Sequence, residues 1–327
     1  MRILTPSFVV AALAALVAAA GTEPRAVQPA AGAASRGLMI GILREDSLLV
    51  PFAVFDGRQW TGPWHKPSTD TIPGGSLTRL ADIPPTWWGG RTPATEWELL
   101  GGGAVRRRVH VTGVAVSENH CTAGVGLSTD HRSPVRIEPH SYPLPYAGIV
   151  ATTPGLLQPV SRIPDGSATF EQVDRTLPRL FARLEAGVWE STRGSAFEPS
   201  LTGALPSPAL DSAYAAVLPD GRELLTFRAR RHLPRNIRGE RLEMVTGIAG
   251  WMSRRGTSPW ELLDAKGSQT DLDDKGGNTL VPRATLNLGG RTFWVGNTAG
   301  YEWETYFVLE VTGARPRMLV SADAGSC

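Results

Sequence analysis

Short apolar runs that end in glycine-bearing turns recur along this chain and constrain its fold more than any other feature. The run from Leu48 to Phe55 ends in Asp56-Gly57. The run from Tyr214 to Leu218 ends in a turn that contains Asp220-Gly221. An Asp-Gly pair between apolar runs indicates a β-hairpin, because tight hairpin turns need positive φ angles that glycine adopts freely. The sequence therefore predicts an all-β fold.

Two internal similarities bear on how the strands are arranged. Trp97-Glu98-Leu99-Leu100 recurs as Trp260-Glu261-Leu262-Leu263, and the Asp-Gly turns near residues 56, 165 and 220 are spaced by about one or two units of 55 residues. A repeat of that length is typical of β-propeller blades. We therefore expect a β-propeller-like array of short antiparallel hairpins, with a multi-sheet β-sandwich as the alternative.

One segment departs from the strand pattern. Between Thr169 and Ala186 apolar residues recur at three- and four-residue spacing, which predicts one short helix near residues 170–186. Pro178 lies inside this segment, so the helix proper is expected to begin there, with Thr176 as its N-cap. Gly187 is the expected end of the helix.

The first residues have the features of a cleavable export signal. Met1-Arg2 is a short positive region, Phe8 to Ala20 is an unbroken apolar run, and Ala18-Ala19-Ala20 fits the small-residue cleavage rule. We interpret residues 1–20 as a signal peptide, with an uncleaved membrane anchor as the alternative. No later stretch is long and apolar enough to span a bilayer, so we expect a secreted or periplasmic protein.

The rest of the chain is expected to hold one folded unit. Residues 21–36 are rich in Ala, Pro and Gly without periodicity, which indicates a flexible lead-in. Residues 37–327 are expected to form a single β-rich domain, and the loop-like stretch at residues 191–210 is where it would divide if there were two. Cys121 and Cys327 are the only cysteines, and an oxidising compartment favours a disulfide between them. Two free thiols are the alternative.

Two pairs of carboxylates flank a tryptophan, in Glu96-Trp97-Glu98 and in Glu302-Trp303-Glu304. On a strand, the acids of each pair share one face and the tryptophan points to the other. Sugar hydrolysis by acid/base chemistry needs two carboxyls roughly 5–10 Å apart, so a secreted hydrolase is one hypothesis. The alternative is an outer strand face balanced by nearby arginines. In that pattern Glu302, Glu304 and Glu310 are expected to point outward.

Tryptophans in segments rich in Gly and Pro suggest a binding role. An indole on a loop offers a flat apolar face with one N–H, which suits stacking on a sugar ring. The tryptophans and the neighbouring arginines expected to donate hydrogen bonds are Trp60, Trp64, Trp87, Trp88, Arg58 and Arg91. The segment from Asp56 to Trp64 resembles one blade of lectin-type β-propellers. The alternative is that these indoles fill gaps between sheets.

An acidic turn is the one candidate for a cation. Asp271, Asp273 and Asp274 precede Gly276-Gly277, and alternate carboxylates before a glycine resemble the start of a calcium loop. Lys275 occupies the position where a third ligand is needed, and no glutamate follows at the expected distance. We therefore expect a solvated turn and no cofactor, with calcium as the alternative.

The absence of common catalytic motifs and the low net charge bear on the class of function. The sequence contains no H-E-x-x-H, G-x-S-x-G, Walker or C-x-x-C motif, so no known catalytic pattern indicates an enzyme. The net charge of +2 gives little long-range attraction for nucleic acid. The sequence favours an exported, non-enzymatic recognition or structural protein of the cell envelope. The expected partner is a glycan, an envelope component or another protein.

Overall fold

The computed structural model describes residues 37–62, 79–80, 94–119, 122–136, 145–193, 204–237, 240–271, 279–300, 303–311 and 315–326. The protein is mostly β, with 61% strand and 12% helix, and every strand pairing is antiparallel. The prediction of an all-β fold built from antiparallel hairpins is confirmed.

The first sheet closes on itself as a barrel. Its strands are β1 (Leu38–Arg44), β2 (Leu48–Phe55), β3 (Trp60–Thr61), β4 (Glu96–Gly101), β5 (Arg106–Asn119), β6 (Thr122–Thr129) and β7 (Tyr146–Ala151). They lie in the order β1-β7-β4-β5-β6-β2-β3, and β1 also pairs with β2, so six of the seven form a closed ring. The sequence analysis did not anticipate this closure.

Two further sheets have five strands each. We call the first the outer sheet, and it contains β9 (Ser161–Arg162), β10 (Ala209–Val217), β11 (Arg222–Ile237), β12 (Glu240–Arg255) and β13 (Glu261–Asp271). We call the second the middle sheet, and it contains β8 (Gln158–Pro159), β14 (Thr279–Leu288), β15 (Arg291–Gly300), β16 (Trp303–Val311) and β17 (Pro316–Ser326). In each sheet, four consecutive strands form an antiparallel meander, which is also the connectivity of a propeller blade.

The predicted glycine turns join strands at two of the three positions. Gly57 and Gly221 have φ angles of 102° and 77°, and they lie in the β2–β3 and β10–β11 hairpins. Asp165-Gly166 instead precedes a helix, although Gly166 also has a positive φ angle. The Asp-Gly signal therefore marked a turn each time, but the element after the turn depends on the residues that follow.

The middle sheet lies between the barrel and the outer sheet. Alternate residues of β16 point in opposite directions, as a strand requires. Tyr306 and Val308 belong to a core shared with the outside of the barrel, which includes Ile40 and Phe52. Phe307 and Leu309, together with Trp294 of β15, belong to a core shared with the outer sheet, which includes Leu224 and Trp251. A third core fills the barrel interior.

The predicted helix is two helices that cover the other face of the outer sheet. They are α1 (Ala168–Asp174) and α2 (Leu177–Thr192). The chain breaks between them because Pro178, in the first turn of α2, has no N–H to continue a helix from α1. Thr176 is the N-cap residue, but its hydroxyl donates to the Val173 carbonyl (2.7 Å) and does not cap α2. The α2 helix continues five residues past Gly187 to Thr192, so the expected end was wrong.

Several expectations lie outside the described residues. They include the signal peptide at 1–20, the lead-in at 21–36, and the disulfide between Cys121 and Cys327. Neither helix in the described part of the chain has the length and hydropathy needed to cross a membrane.

Candidate ligand-binding cleft

Trp60 does not stand on an exposed loop as the sequence analysis expected. It begins β3, is only 7% exposed, and packs against Phe55 and Phe293 with ring centroids 5.1 and 5.6 Å away. Its ring therefore fills the space between the barrel and the middle sheet, which is the alternative that the sequence left open. A buried indole cannot stack on a sugar ring.

The other residues of that proposed site are only partly described. Arg58 is exposed in the β2–β3 turn, where its carbonyl oxygen accepts a hydrogen bond from Nη1 of Arg291 (3.1 Å). Trp64, Trp87, Trp88 and Arg91 lie outside the described residues.

The carboxylates of Glu96 and Glu98 are both paired with arginines. Glu96 Oε1 lies 3.3 Å from Arg108 Nε, and Glu98 Oε1 accepts a hydrogen bond from Arg106 Nη1 at 2.6 Å. Glu98 Oε1 also accepts from the backbone N–H of Gly155 (3.0 Å). This arrangement is the arginine-balanced strand face, and it ties β4 to the neighbouring β5.

Glu304 points inward, which corrects the outward position expected for it. Its side chain is buried, with the residue 2% exposed, on the face of the middle sheet that meets the barrel. Glu310 lies on the same face at 5% exposure and accepts hydrogen bonds from Arg291 and Arg317, both at 2.6 Å. The expectation was wrong because this sheet is covered on both sides, so neither face is outward. Glu302 lies outside the described residues.

Both carboxylate oxygens of Glu304 already have protein donors. Oε1 accepts from Asn297 Nδ2 at 2.6 Å, and Oε2 accepts from the Tyr146 hydroxyl. Arg283 completes this cluster, because its Nε donates to Asn297 Oδ1 (2.7 Å) and its guanidinium carbon lies 4.6 Å from the centre of the Tyr146 ring. We call these four residues the Glu304 cluster.

Burial dominates the protonation equilibria of the Glu304 cluster. Desolvation raises the pKa of Glu304, although the Tyr146 hydroxyl and the positive charge of Arg283 oppose that shift. Desolvation and the nearby carboxylate raise the pKa of Tyr146 far above its ordinary value. Desolvation lowers the pKa of Arg283. The Glu304 carboxylate is buried and each of its oxygens already accepts from a protein donor, so we interpret the cluster as structural.

The acidic turn gains no support as a calcium site. Asp271 ends β13, while Asp273 and Asp274 lie outside the described residues. Within the described part of the chain, no group of three or more His, Cys, Asp or Glu side chains could hold a metal ion.

A cleft between the outer and middle sheets is the best candidate for a binding site. It has a volume of about 250 Å³. One wall is made of two neighbouring rows of side chains on the outer sheet, and strand register puts one residue from each of β10, β11, β12 and β13 into each row. The first row is Tyr214, Thr226, Trp251 and Asp264, and the second is Ser212, Arg228, Ala249 and Lys266.

The opposite wall of the cleft is apolar. The middle sheet supplies it through Leu280, Leu309, Pro316 and Met318. Met318 is 47% exposed, so the cleft opens to solvent on the β17 side. A ligand in the cleft therefore meets an aromatic and charged surface on one side and an aliphatic surface on the other.

Three polar groups of the cleft, on Asp264, Lys266 and Tyr214, are available to a ligand. Among the described residues, neither Asp264 nor Lys266 has an ion-pair partner, and the Tyr214 hydroxyl has no hydrogen-bond partner. Arg228 also lines the cleft, and its Nε lies 3.9 Å from Oδ2 of Asp211. Trp251 is fixed by an edge-to-face contact with Trp294, at 5.1 Å between ring centroids.

Sequence reasoning missed this cleft because its residues, from Ser212 to Met318, come from strands that are far apart in the chain. Only the register of four strands brings Tyr214 into one row with Asp264. Part of the signal for the cleft is local. The apolar run Tyr214-Ala-Ala-Val-Leu218 predicts a strand, and alternation along that strand puts Ser212 and Tyr214 on the same face. The Asp220-Gly221 turn predicted that β10 pairs with β11, but no residue pattern indicated that the middle sheet forms the other wall of the cleft.

Comparisons of this chain with protein-family models, with curated proteins and with solved structures found no significant match.

Proposed function

We propose that this chain is an exported, non-enzymatic recognition protein of the cell envelope, and that its cleft binds a small polyhydroxylated ligand such as one sugar residue of a glycan. Export rests on the signal-like residues 1–20. The binding role rests on the composition of the cleft.

The combination of groups in the cleft is the one that sugars require. Sugar rings have an apolar face that packs on aromatic side chains, and the half-buried ring of Tyr214 supplies such a surface, with Trp251 buried behind it. Their hydroxyls need paired donors and acceptors, and in this cleft Asp264 accepts while Lys266 donates. The volume of about 250 Å³ lies just below the roughly 300 Å³ at which drug-sized sites begin, so it admits one ring-sized group.

A single observation favours binding over hydrolysis. Asp264 is the only carboxylate among the described residues that line the cleft. Glycoside hydrolysis ordinarily needs two carboxyls that flank the scissile bond. One carboxylate beside an aromatic wall is sufficient to orient a sugar but insufficient for that chemistry.

The test is a titration of the purified protein with a panel of short oligosaccharides, namely oligomers of N-acetylglucosamine and of neutral hexoses, followed by tryptophan fluorescence and calorimetry. We expect saturable binding of at least one member, and at least a tenfold loss of affinity in Asp264→Asn. Glu261→Gln is the matched control, because Glu261 is an exposed carboxylate on the same strand and lies outside the cleft. Wild-type affinity is expected for that variant.

Three outcomes would overturn the proposal. The first is the absence of binding across the panel, and the second is equal affinity in Asp264→Asn and the wild type. The third is release of reducing ends from a bound oligosaccharide that Asp264→Asn abolishes, which would show that the cleft is catalytic.

A further inference from the structure

A second concave surface lies on the opposite side of the outer sheet, where α2 meets the ends of β12 and β13. We call it the arginine groove, and it has a volume of about 410 Å³. It is lined by Arg175, Thr176, Arg179, Leu180, Arg183, Met252, Trp260 and Leu262. Three cations therefore face a floor of apolar and aromatic side chains.

Two of these cations have no acidic partner. Arg175 is at 4.0 Å from Glu171, but Arg179 and Arg183 make no ion pair with any of the described residues. They are exposed and lie four residues apart, which places like charges next to each other on one helix face. Such a pair destabilises an isolated helix.

The charges on α2 also oppose its dipole. The first turn contains no acidic residue and the last turn contains no basic one. Arg179 and Arg183 lie in the N-terminal half, where the helix dipole is positive, whereas Glu185 and Glu190 lie in the C-terminal half. A negatively charged ligand at the N-terminal half would offset both the dipole and the repulsion between the arginines.

The floor of the groove supplies an unsatisfied donor. The indole nitrogen of Trp260 is shielded from solvent and has no hydrogen-bond acceptor among the described residues. The guanidinium carbon of Arg254 lies 4.5 Å from the centroid of the Trp260 ring, and Arg254 is itself paired with Glu223 at 2.7 Å. A buried donor without an acceptor is unfavourable, and a carbonyl of a bound chain would satisfy it.

The spacing of the arginines fits one kind of ligand. Residues four apart on a helix rise about 6 Å along its axis, and residues two apart on an extended chain rise about 6.6 Å. Carboxylates at alternate positions of an extended peptide therefore match Arg179 and Arg183. The intervening side chains point to the other wall, where Leu262, Met252 and Trp260 are apolar.

We propose that the arginine groove binds an extended acidic peptide of a partner protein, with Asp or Glu at alternate positions and apolar residues between them. This interaction uses arginines to recognise acidic motifs. It is independent of the cleft, which lies on the other face of the outer sheet.

The test uses an acetylated and amidated heptapeptide of alternating Asp and Leu, measured by calorimetry at low and physiological salt. We expect saturable binding that weakens with salt, and at least a tenfold loss of affinity in Arg179→Ala/Arg183→Ala. The double variant Arg162→Ala/Arg193→Ala removes the same charge from exposed arginines outside the groove, and less than a twofold change is expected for it. Circular dichroism confirms that each variant is folded.

Further arms separate the alternatives. A peptide of the same composition with its aspartates in one block should bind at least fivefold more weakly, because its charges do not match the helical spacing. The Asp264→Asn variant should bind the alternating peptide with wild-type affinity. The proposal for the arginine groove therefore does not depend on whether the cleft binds a sugar. The inference is overturned if the peptide does not bind, if the two double variants lose affinity equally, or if vesicles with anionic phospholipid bind through Arg179 and Arg183 while the peptide does not.

Discussion

The hydroxyl of Tyr146, on the last strand of the barrel, donates a hydrogen bond to the buried carboxylate of Glu304 on the middle sheet. The two residues are 158 positions apart in the chain. Their contact fixes the position of the barrel on the middle sheet. Apolar packing alone allows the two surfaces to shift relative to each other, whereas a buried hydrogen bond does not.

Removing that hydroxyl should destabilise the protein. In Tyr146→Phe, Oε2 of Glu304 stays buried without a donor, which we expect to cost about 1–3 kcal/mol of unfolding free energy. Denaturation by urea measures the loss. Tyr214→Phe is the matched control, since its hydroxyl has no hydrogen-bond partner among the described residues, and a change within about 0.5 kcal/mol is expected. Equal stabilities of the two variants would contradict the role of the Glu304 cluster.

The stability of the protein should depend on pH through Glu185. This residue is 2% exposed on α2, where burial raises the pKa of its carboxyl to about 7 while Arg231, 2.9 Å away on β11, opposes the shift. The phenyl ring of Phe181 covers Arg231, and the nearby Thr246 hydroxyl also opposes the rise in the pKa of Glu185.

Because the pKa is raised in the folded state, the folded protein holds this proton more tightly than the unfolded chain. The resulting stability is fully present below about pH 4.5 and is lost as pH rises through 7. We expect urea unfolding to show a decrease of about 1–3 kcal/mol between pH 4.5 and 8 that is absent in Glu185→Gln. Glu190→Gln should retain the decrease, since Glu190 is exposed. Identical pH profiles for the wild type and Glu185→Gln would refute this assignment.

Two glycines should respond oppositely to alanine. A Cβ on Gly148 would lie 2.1 Å from the Leu100 carbonyl oxygen, and the φ angle there is +151°. Gly148→Ala must therefore separate β7 from β4, and we expect the loss of soluble protein or a large drop in melting temperature. Gly187, within α2, has nothing within 4 Å of that position. Gly187→Ala should stabilise the protein by about 0.5–1 kcal/mol, because glycine is costly inside a helix.

The position of Trp60 predicts a structural phenotype. Trp60→Ala should lose about 3–5 kcal/mol of unfolding free energy, because it leaves a cavity beside Phe55 and Phe293. Trp60→Phe should restore most of it by filling much of the same space. An alanine variant with wild-type stability but altered oligosaccharide binding would instead support the stacking role that the sequence suggested.

The sequence predicted the local structure well where one strand or one turn carried the signal. The turns at Gly57 and Gly221, the apolar stripe of α2 and the break before Pro178 all have causes within a few residues of one another. Gly187 misled the prediction of the helix end because Val188 continues the packing of α2 against β13, where its side chain meets Gly267. Tertiary contact outweighed the local preference of glycine.

The direction of Glu304 could not be read from alternation alone. Alternation shows that Glu304 shares a face with Tyr306, but it does not show whether that face meets water or another sheet. One signal was present: Tyr306 to Leu309 is apolar without interruption, and such runs are typical of strands buried on both faces. Cross-strand register, which creates the cleft, has no comparable trace in a single sequence.

Strand β16 of the middle sheet contributes to two hydrophobic cores, because Val308 packs toward the barrel and Phe307 packs toward the outer sheet. Unfolding of the middle sheet would expose apolar surface of both neighbours together, so the stabilities of the barrel and the outer sheet are coupled through it. Differential scanning calorimetry of the protein should therefore record a single unfolding transition. In a tandem repeat array, by contrast, the repeats can unfold stepwise.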